Sequence, residues 1–175
     1  MTLRRTPTMS IPCEIDGSGI VVYRSNDEIS REIQEHVNDT TMHLYKDYFY
    51  TTPFSPQGYY CGDVSVPQNV HYLKIVAKLS HPHCPFTVFP DPKSRWVGFD
   101  CAHINDYIIG DKYGHNTPNT TFKTRSFVAC ECRRIIDVIM DIVKEHEHIH
   151  TQRLRHRFEH AKAAIRSYDI APLYA

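Results

Sequence analysis

The stretch "SFVACECRRIIDVIMDIVKEHEHI", Ser126 to Ile149, decides the fold class. Val128, Cys132, Ile135, Ile139, Ile142, Val143, His146 and Ile149 recur at three- and four-residue steps, the period of one helix face. Leu154, Phe158, Ala161 and Ile165 extend the stripe. Upstream of about Thr124 the pattern is different: short apolar runs separated by glycine and proline. Strands followed by a long helix predict an α+β fold, with a small antiparallel or mixed sheet packed against an N-terminal helix and a long C-terminal helix. A helix of about 40 residues would span about 60 Å, twice the width of a small domain. It is therefore expected either to break near Thr151 or to project and find a partner, for instance a second copy of the chain. The expected organisation is a flexible tail over 1–12, one domain over 13–145 and a helical extension over 146–175.

Working back from the helix, "CEIDGSGIVVYRS" (13–25) reads as a hairpin around Asp16–Gly19. "SNDEISREIQEHV" (25–37) opens with Ser25 as N-cap and Glu28 three residues later, a capping box, and carries Ile29, Ile33 and Val37 on one face. "HLYKDYFYTTPFSPQ" (43–57) reads as a helix end or an irregular aromatic loop broken by Pro53 and Pro56. "GYYCGDVSVP" (58–67) alternates as a strand, and "HYLKIVAKL" (71–79) fits a strand or a short helix. "CPFTVFPD" (84–91) and "RWVGFDC" (95–101) read as two strands joined by a turn around Pro90–Lys93. Residues 104–122 form a polar loop.

Composition excludes several classes. The 175-residue chain is 41% hydrophobic and 23% charged, with zero formal net charge, so no basic field draws it to nucleic acid in general. No apolar run approaches a membrane span. The opening "MTLRRTPTMSIP" lacks the apolar core of a secretory signal, which points to the cytosol. Cys13, Cys61, Cys84, Cys101, Cys130 and Cys132 form no C-x-x-C and no regular framework, so free thiols are expected. Asn38 and Asn119 head chance glycosylation sequons.

"HEHIH" (146–150) matches H-E-x-x-H. On a helix, His146 and His150 share a face, and Glu147 would serve as general base for a zinc-bound water. His156 stands where a third ligand would come. Arg153 occupies the glycine position that would turn the chain back, and in a continued helix His156 lies about 240° round from His150. Five of the twelve histidines lie in 146–160, so the match arises cheaply. The expected metal complement is none, and no cofactor is expected.

The denser chemistry lies in "RWVGFDCAHINDY" (95–107). If the strands at 86–89 and 95–100 pair as a hairpin, His83 and Thr87 come to the same sheet end as Asp100, Cys101, His103 and Asp106. The candidate catalytic residues are His83, His103 and Asp106. The candidate ligand-binding residues are Thr87, Trp96 and Asp100. Histidine and threonine donate to phosphate oxygens, Trp96 can stack a base, and an aspartate can hold a ribose hydroxyl or orient a histidine. Trp96, Val97 and Phe99 also read as plain core, and Cys101 as a small buried hydrophobe.

These residues resemble a family of small proteins encoded by bacteriophages and some bacteria. That family carries "GYVxVPxxHP", "VHGGLTYS", "WWFGFDCAHxGD" and a helix opening like "YVxxECxxLAxQ". This chain has "GYYCGDVSVPQNVHY", "SHPHCPFTVF", "RWVGFDCAHINDY" and "RSFVACECRRIIDVI" in the same order, over about residues 58–140. His83 and Thr87 match, whereas Cys84, Pro85 and Asn105 stand where the family has glycine. The resemblance implies a viral accessory protein in a host cytosol that binds, as a sponge, a nucleotide-derived small molecule such as an immune signal. Other readings are a metal-independent phosphodiester hydrolase using His83 and His103 with Asp106 as orienter, a protein inhibitor docking through the long helix, and a zinc hydrolase at His146 and His150.

Overall fold

A computed structural model describes residues 10–79, 95–168 and the backbone of 86–88. The chain divides into two compact units, Met1–Ile139 and Met140–Ala175. The fold is α+β, as the pattern predicts, with strands in two sheets, an N-terminal helix and a long C-terminal helix.

The first sheet has three strands. β1 (Ser10–Glu14) and β2 (Val21–Ser25) form the expected hairpin, and β9 (Phe122–Lys123) adds to β1 in parallel. Ser10–Pro12, expected in the tail, belong to β1: Ile11 is 3% exposed, and burying it holds the segment in the ladder. The capping box forms as read: Ser25 and Glu28 satisfy each other's backbone amides at the start of α1 (Asn26–His36).

The second sheet runs β3 (His43–Tyr45), β4 (Tyr48–Thr51), β6 (Tyr59–Ser65), β8 (Trp96–Asp100), β7 (Phe86–Val88), all antiparallel, with β5 (Phe54–Ser55) also on β6. The segment expected to be a helix end or irregular loop is thus a strand region. The deciding turn is Lys46–Asp47, where φ is 49° and 68°. Two consecutive positive φ values make the tight hairpin turn whose twist matches its strands. Lysine at the first of these positions hides it from a glycine- or asparagine-based reading. "HYLKIVAKL" forms a helix, α2 (Tyr72–Lys78), whose Leu73 amide donates to the His71 ring at 3.4 Å.

β6 alternates buried and half-buried residues. Its inner face, Tyr60, Gly62 and Val64, meets Val97 and Phe99 of β8 in the core. Gly62 marks the closest packing. A Cβ there would lie 2.5 Å from the Phe99 ring and 2.8 Å from Cys132 Sγ. The absent side chain lets α3 (Arg125–Tyr168) lie against the sheet, with Val128, Cys132, Ile136 and Ile139 buried. The helix does not break at Thr151. In the second unit, residues 151–164 are all exposed. Among the described residues no helix is long and apolar enough to cross a membrane.

Candidate functional site

The expected site lies around the end of β8. Asp100 closes that strand opposite Cys61 and accepts from the Ala102 amide at 3.1 Å, which starts a turn. Asp106 completes the turn: it accepts from the His103 amide at 3.0 Å and its own amide donates to the His103 carbonyl at 2.9 Å. Its carboxylate is buried and stands 4.0 Å from Lys123 Nζ. Burial pushes the Asp106 carboxyl above the ordinary range, opposed by the His103 amide and Lys123. Lys123 also meets the Glu14 carboxylate and donates to Thr121 Oγ1 at 3.0 Å.

His103 Nδ1 lies 3.4 Å from Asp106 Oδ2, within ion-pair reach for a protonated ring but off the line of a hydrogen bond. The atom is buried and has no hydrogen-bond partner among the described residues. His103 and Asp106 therefore come together, and the backbone bonds make Asp106 a turn-builder before anything else. Trp96 and Asp100 share a face of β8 but stand at opposite ends of it, about 13 Å apart at the usual rise per residue. Thr87 sits in β7 between Phe86, opposite Phe99, and Val88, opposite Gly98, so the expected hairpin pairing holds. His83 lies outside the described residues. The thiols Cys13, Cys61, Cys101, Cys130 and Cys132 are in no disulfide, and burial pushes Cys13 and Cys61 up to about 11, which keeps both protonated and unreactive.

A second site was not visible in the sequence. Where β9 runs into α3, the helix start, α1 and β4 border an open cavity of about 600 Å³, whose charged lining sets Arg24, Arg31, Arg125 and Arg133 beside Glu28, Glu32 and Glu35, with His36, His43 and Ser126 also on its wall. Arg125 is its hub. Its Nε donates to Thr52 Oγ1 at 2.9 Å, its guanidinium meets Asp39, and it donates to His36 Nδ1 at 2.9 Å and His43 Nε2 at 3.2 Å. Guanidinium has no acceptor, so the ring nitrogens it meets present lone pairs. Hydrogen bonds from Thr41 and the Arg125 charge hold the Asp39 carboxyl down at about 2.

The start of α3 is capped twice. Thr124 Oγ1 accepts from the Phe127 amide at 3.3 Å, and Glu32 of α1 accepts from the Arg125 amide at 3.0 Å while also pairing with Arg24. A carboxylate on a helix N-terminus is the favourable arrangement for the dipole. Beneath it the Tyr60 hydroxyl is fully buried without a hydrogen-bond partner among the described residues. Burial, with Glu32 close by, pushes that hydroxyl well above the tyrosine range.

The charges divide into two sets. Arg24 and Arg125 are matched by carboxylates. Arg31 and Arg133 pair with no carboxylate among the described residues; Arg133 donates to Tyr50 OH at 3.3 Å and lies over its ring. Tyr50 in turn stacks on His43, ring centroids 5.0 Å apart. Arg31 and Arg133, with the partly exposed His43 ring stacked on Tyr50, are the groups here that a phosphate-bearing ligand with a planar ring would use, since Glu32 and Thr124 already hold the first amides of the helix. The site escapes sequence reading because its parts come from residues 24–52 and 125–133; the capping box locates only α1.

No group of three or more metal-ligating side chains forms among the described residues, so His146 and His150 have no third ligand from this chain there. The chain matches no protein-family model, no curated protein and no solved structure.

Proposed function

We propose that the protein binds and sequesters a phosphate-bearing small molecule of the nucleotide class in the arginine cavity at the start of α3. The observation that carries this reading is the pair of guanidinium groups, Arg31 and Arg133, which make no ion pair among the described residues and stand beside the Ser126 end of the helix. A cavity of about 600 Å³ falls in the range of small-ligand sites and takes a nucleotide. The half-buried His43 ring, backed by the buried Tyr50, supplies the flat surface for the ligand's ring. Binding without cleavage is favoured because both cavity histidines are tied to Arg125, which leaves neither ring poised to take a proton from a bound nucleophile. The setting we propose rests on the resemblance of residues 58–140 to a phage-encoded family: an accessory protein in a host cytosol that removes an immune signal.

The test is incubation with cyclic di- and trinucleotides and cyclic ADP-ribose isomers, heat denaturation, and analysis of the supernatant by mass spectrometry. Intact ligand released by heat is the expected result, with affinity falling about 10- to 100-fold in Arg133→Ala or Arg31→Ala, the worth of one charged hydrogen bond. A chemically altered ligand, unaltered in His103→Ala, transfers the function to the hydrolase reading, for which the orphaned His103 Nδ1 speaks. No retained ligand from the panel removes both and leaves the protein-inhibitor reading.

A further inference from the structure

His156, considered above as the third ligand of an H-E-x-x-H site, has a different neighbour. His156 and His160 stand four residues apart on the second unit's helix, and their Nε2 atoms are 3.2 Å apart with ring centroids at 4.4 Å. We infer that these two imidazoles form a bidentate site for a divalent transition-metal ion of the copper, nickel and zinc class.

The distance carries the inference. Two nitrogens bound to one ion at about 2.0–2.1 Å lie about 2.8 Å apart in a square plane and about 3.3 Å apart in a tetrahedron, so the separation of 3.2 Å falls within the bite of a single ion. The helix sets it: side chains at i and i+4 lie one above the other. Without metal, one ring nitrogen must carry a proton to bond the other. A metal ion replaces that proton and takes both lone pairs. Both residues are exposed, so water completes the coordination. Imidazole donors select copper, nickel and zinc, in the order of intrinsic affinity that places copper first, and disfavour calcium and magnesium, which want oxygen.

The surroundings shape the affinity. Arg153, Arg155, Arg157 and Lys162 repel a dication, with Glu159 alone opposing them. Screening by salt therefore tightens binding, the reverse of what acidic surface residues would give. Acid competes for the same lone pairs and weakens it. A metal bridging two turns also holds residues 156–160 helical, which adds stability by linkage.

The experiment uses the full chain with His146, His148 and His150 changed to Gln, because His146 and His150 offer a competing pair at the same four-residue spacing and His148 lies between them. Copper(II) is titrated by calorimetry and followed by electron paramagnetic resonance, with circular dichroism to confirm that the helix is intact. The expected result is one copper per chain with two nitrogen ligands, an affinity loss of tenfold or more in His160→Gln, and tighter binding as salt rises. Unchanged affinity in His160→Gln, no binding to the triple variant, or binding weakened by salt would each overturn the site.

Discussion

At the residue scale, Asp106 shows how a chemically suggestive side chain is claimed by the backbone. Asp100, His103 and Asp106 are readable from seven consecutive residues, and the turn brings His103 and Asp106 together while Asp100 holds the Ala102 amide. What the sequence does not contain is Lys123, which meets Asp106 from 17 positions away and makes it half of a buried charge network. Replacing the carboxylate by a methyl group, Asp106→Ala, orphans the His103 amide and is expected to cost about 2–4 kcal/mol in urea unfolding at neutral pH. Asp106→Asn keeps an acceptor and is expected to cost less. Its pH dependence has a definite sign. The Asp106 carboxyl is raised by burial, so its stabilising contribution is present below the ordinary carboxylate value and fades as pH rises through the folded value. The asparagine variant, which does not ionise, should therefore gain on wild type from acid towards neutral pH.

Elements were legible in proportion to how local their cause is. The capping box of α1 and the apolar stripe of α3 are written in neighbouring residues; the box formed, and the stripe is buried as far as Ile142 while Ile149, Leu154 and Phe158 beyond it are exposed. The hairpin of β3 and β4 was not legible, because its turn places Lys46 and Asp47 at positive φ, where the sequence cue is usually glycine or asparagine. The close seat of α3 on β6 was also hidden. Gly62 reads as one more residue of an alternating strand, yet it is the place where Phe99 and Cys132 leave no room. Gly62→Ala is expected to destabilise by about 1–3 kcal/mol through overpacking, measurable as a fall in denaturation midpoint with an unchanged slope. In the loop after β8, Asp111 accepts from the Tyr113 and Asn116 amides at 2.8 and 2.9 Å, and these bonds lower its carboxyl to about 2 from 3.8. A lowered carboxylate stabilises above the ordinary value and stops doing so as pH falls through the folded one. Amide exchange at Tyr113 and Asn116 should rise, beyond its intrinsic pH dependence, between about pH 4 and 2; an unchanged protection factor would contradict this.

For the whole molecule, the α+β class followed from a single change of period near Thr124, whereas the arginine cavity required the tertiary fold. Glu32 reaches the Arg125 amide across 93 residues, and no local pattern announces such a bond. The two units also differ in what holds their helix. Val128, Cys132, Ile136 and Ile139 are buried, while residues 151–164 are exposed throughout. Hydrogen exchange in the full chain should report this as a gradient along one helix: protection near the global stability over 128–139, and protection near that of an isolated helix over 151–164. Uniform protection along α3 would mean that a partner covers its end.

The parallel seam between β1 and β9 has a consequence for how the chain is made. Glu14 and Lys123 are separated by 109 positions, and the β1–β2 hairpin offers one edge of β1 to a strand that does not yet exist when the hairpin leaves the ribosome. At about 5–20 residues per second, that edge waits roughly 5–20 s for its partner. During this interval it is open to other nascent chains. The start of α3, whose first amides are held by Glu32 and Thr124, is sealed in the same late event. Synthesis speed therefore bears on the yield of folded protein: slower elongation lengthens the exposure of β1, and crowded polysomes raise the chance that a neighbour's strand occupies the seam first.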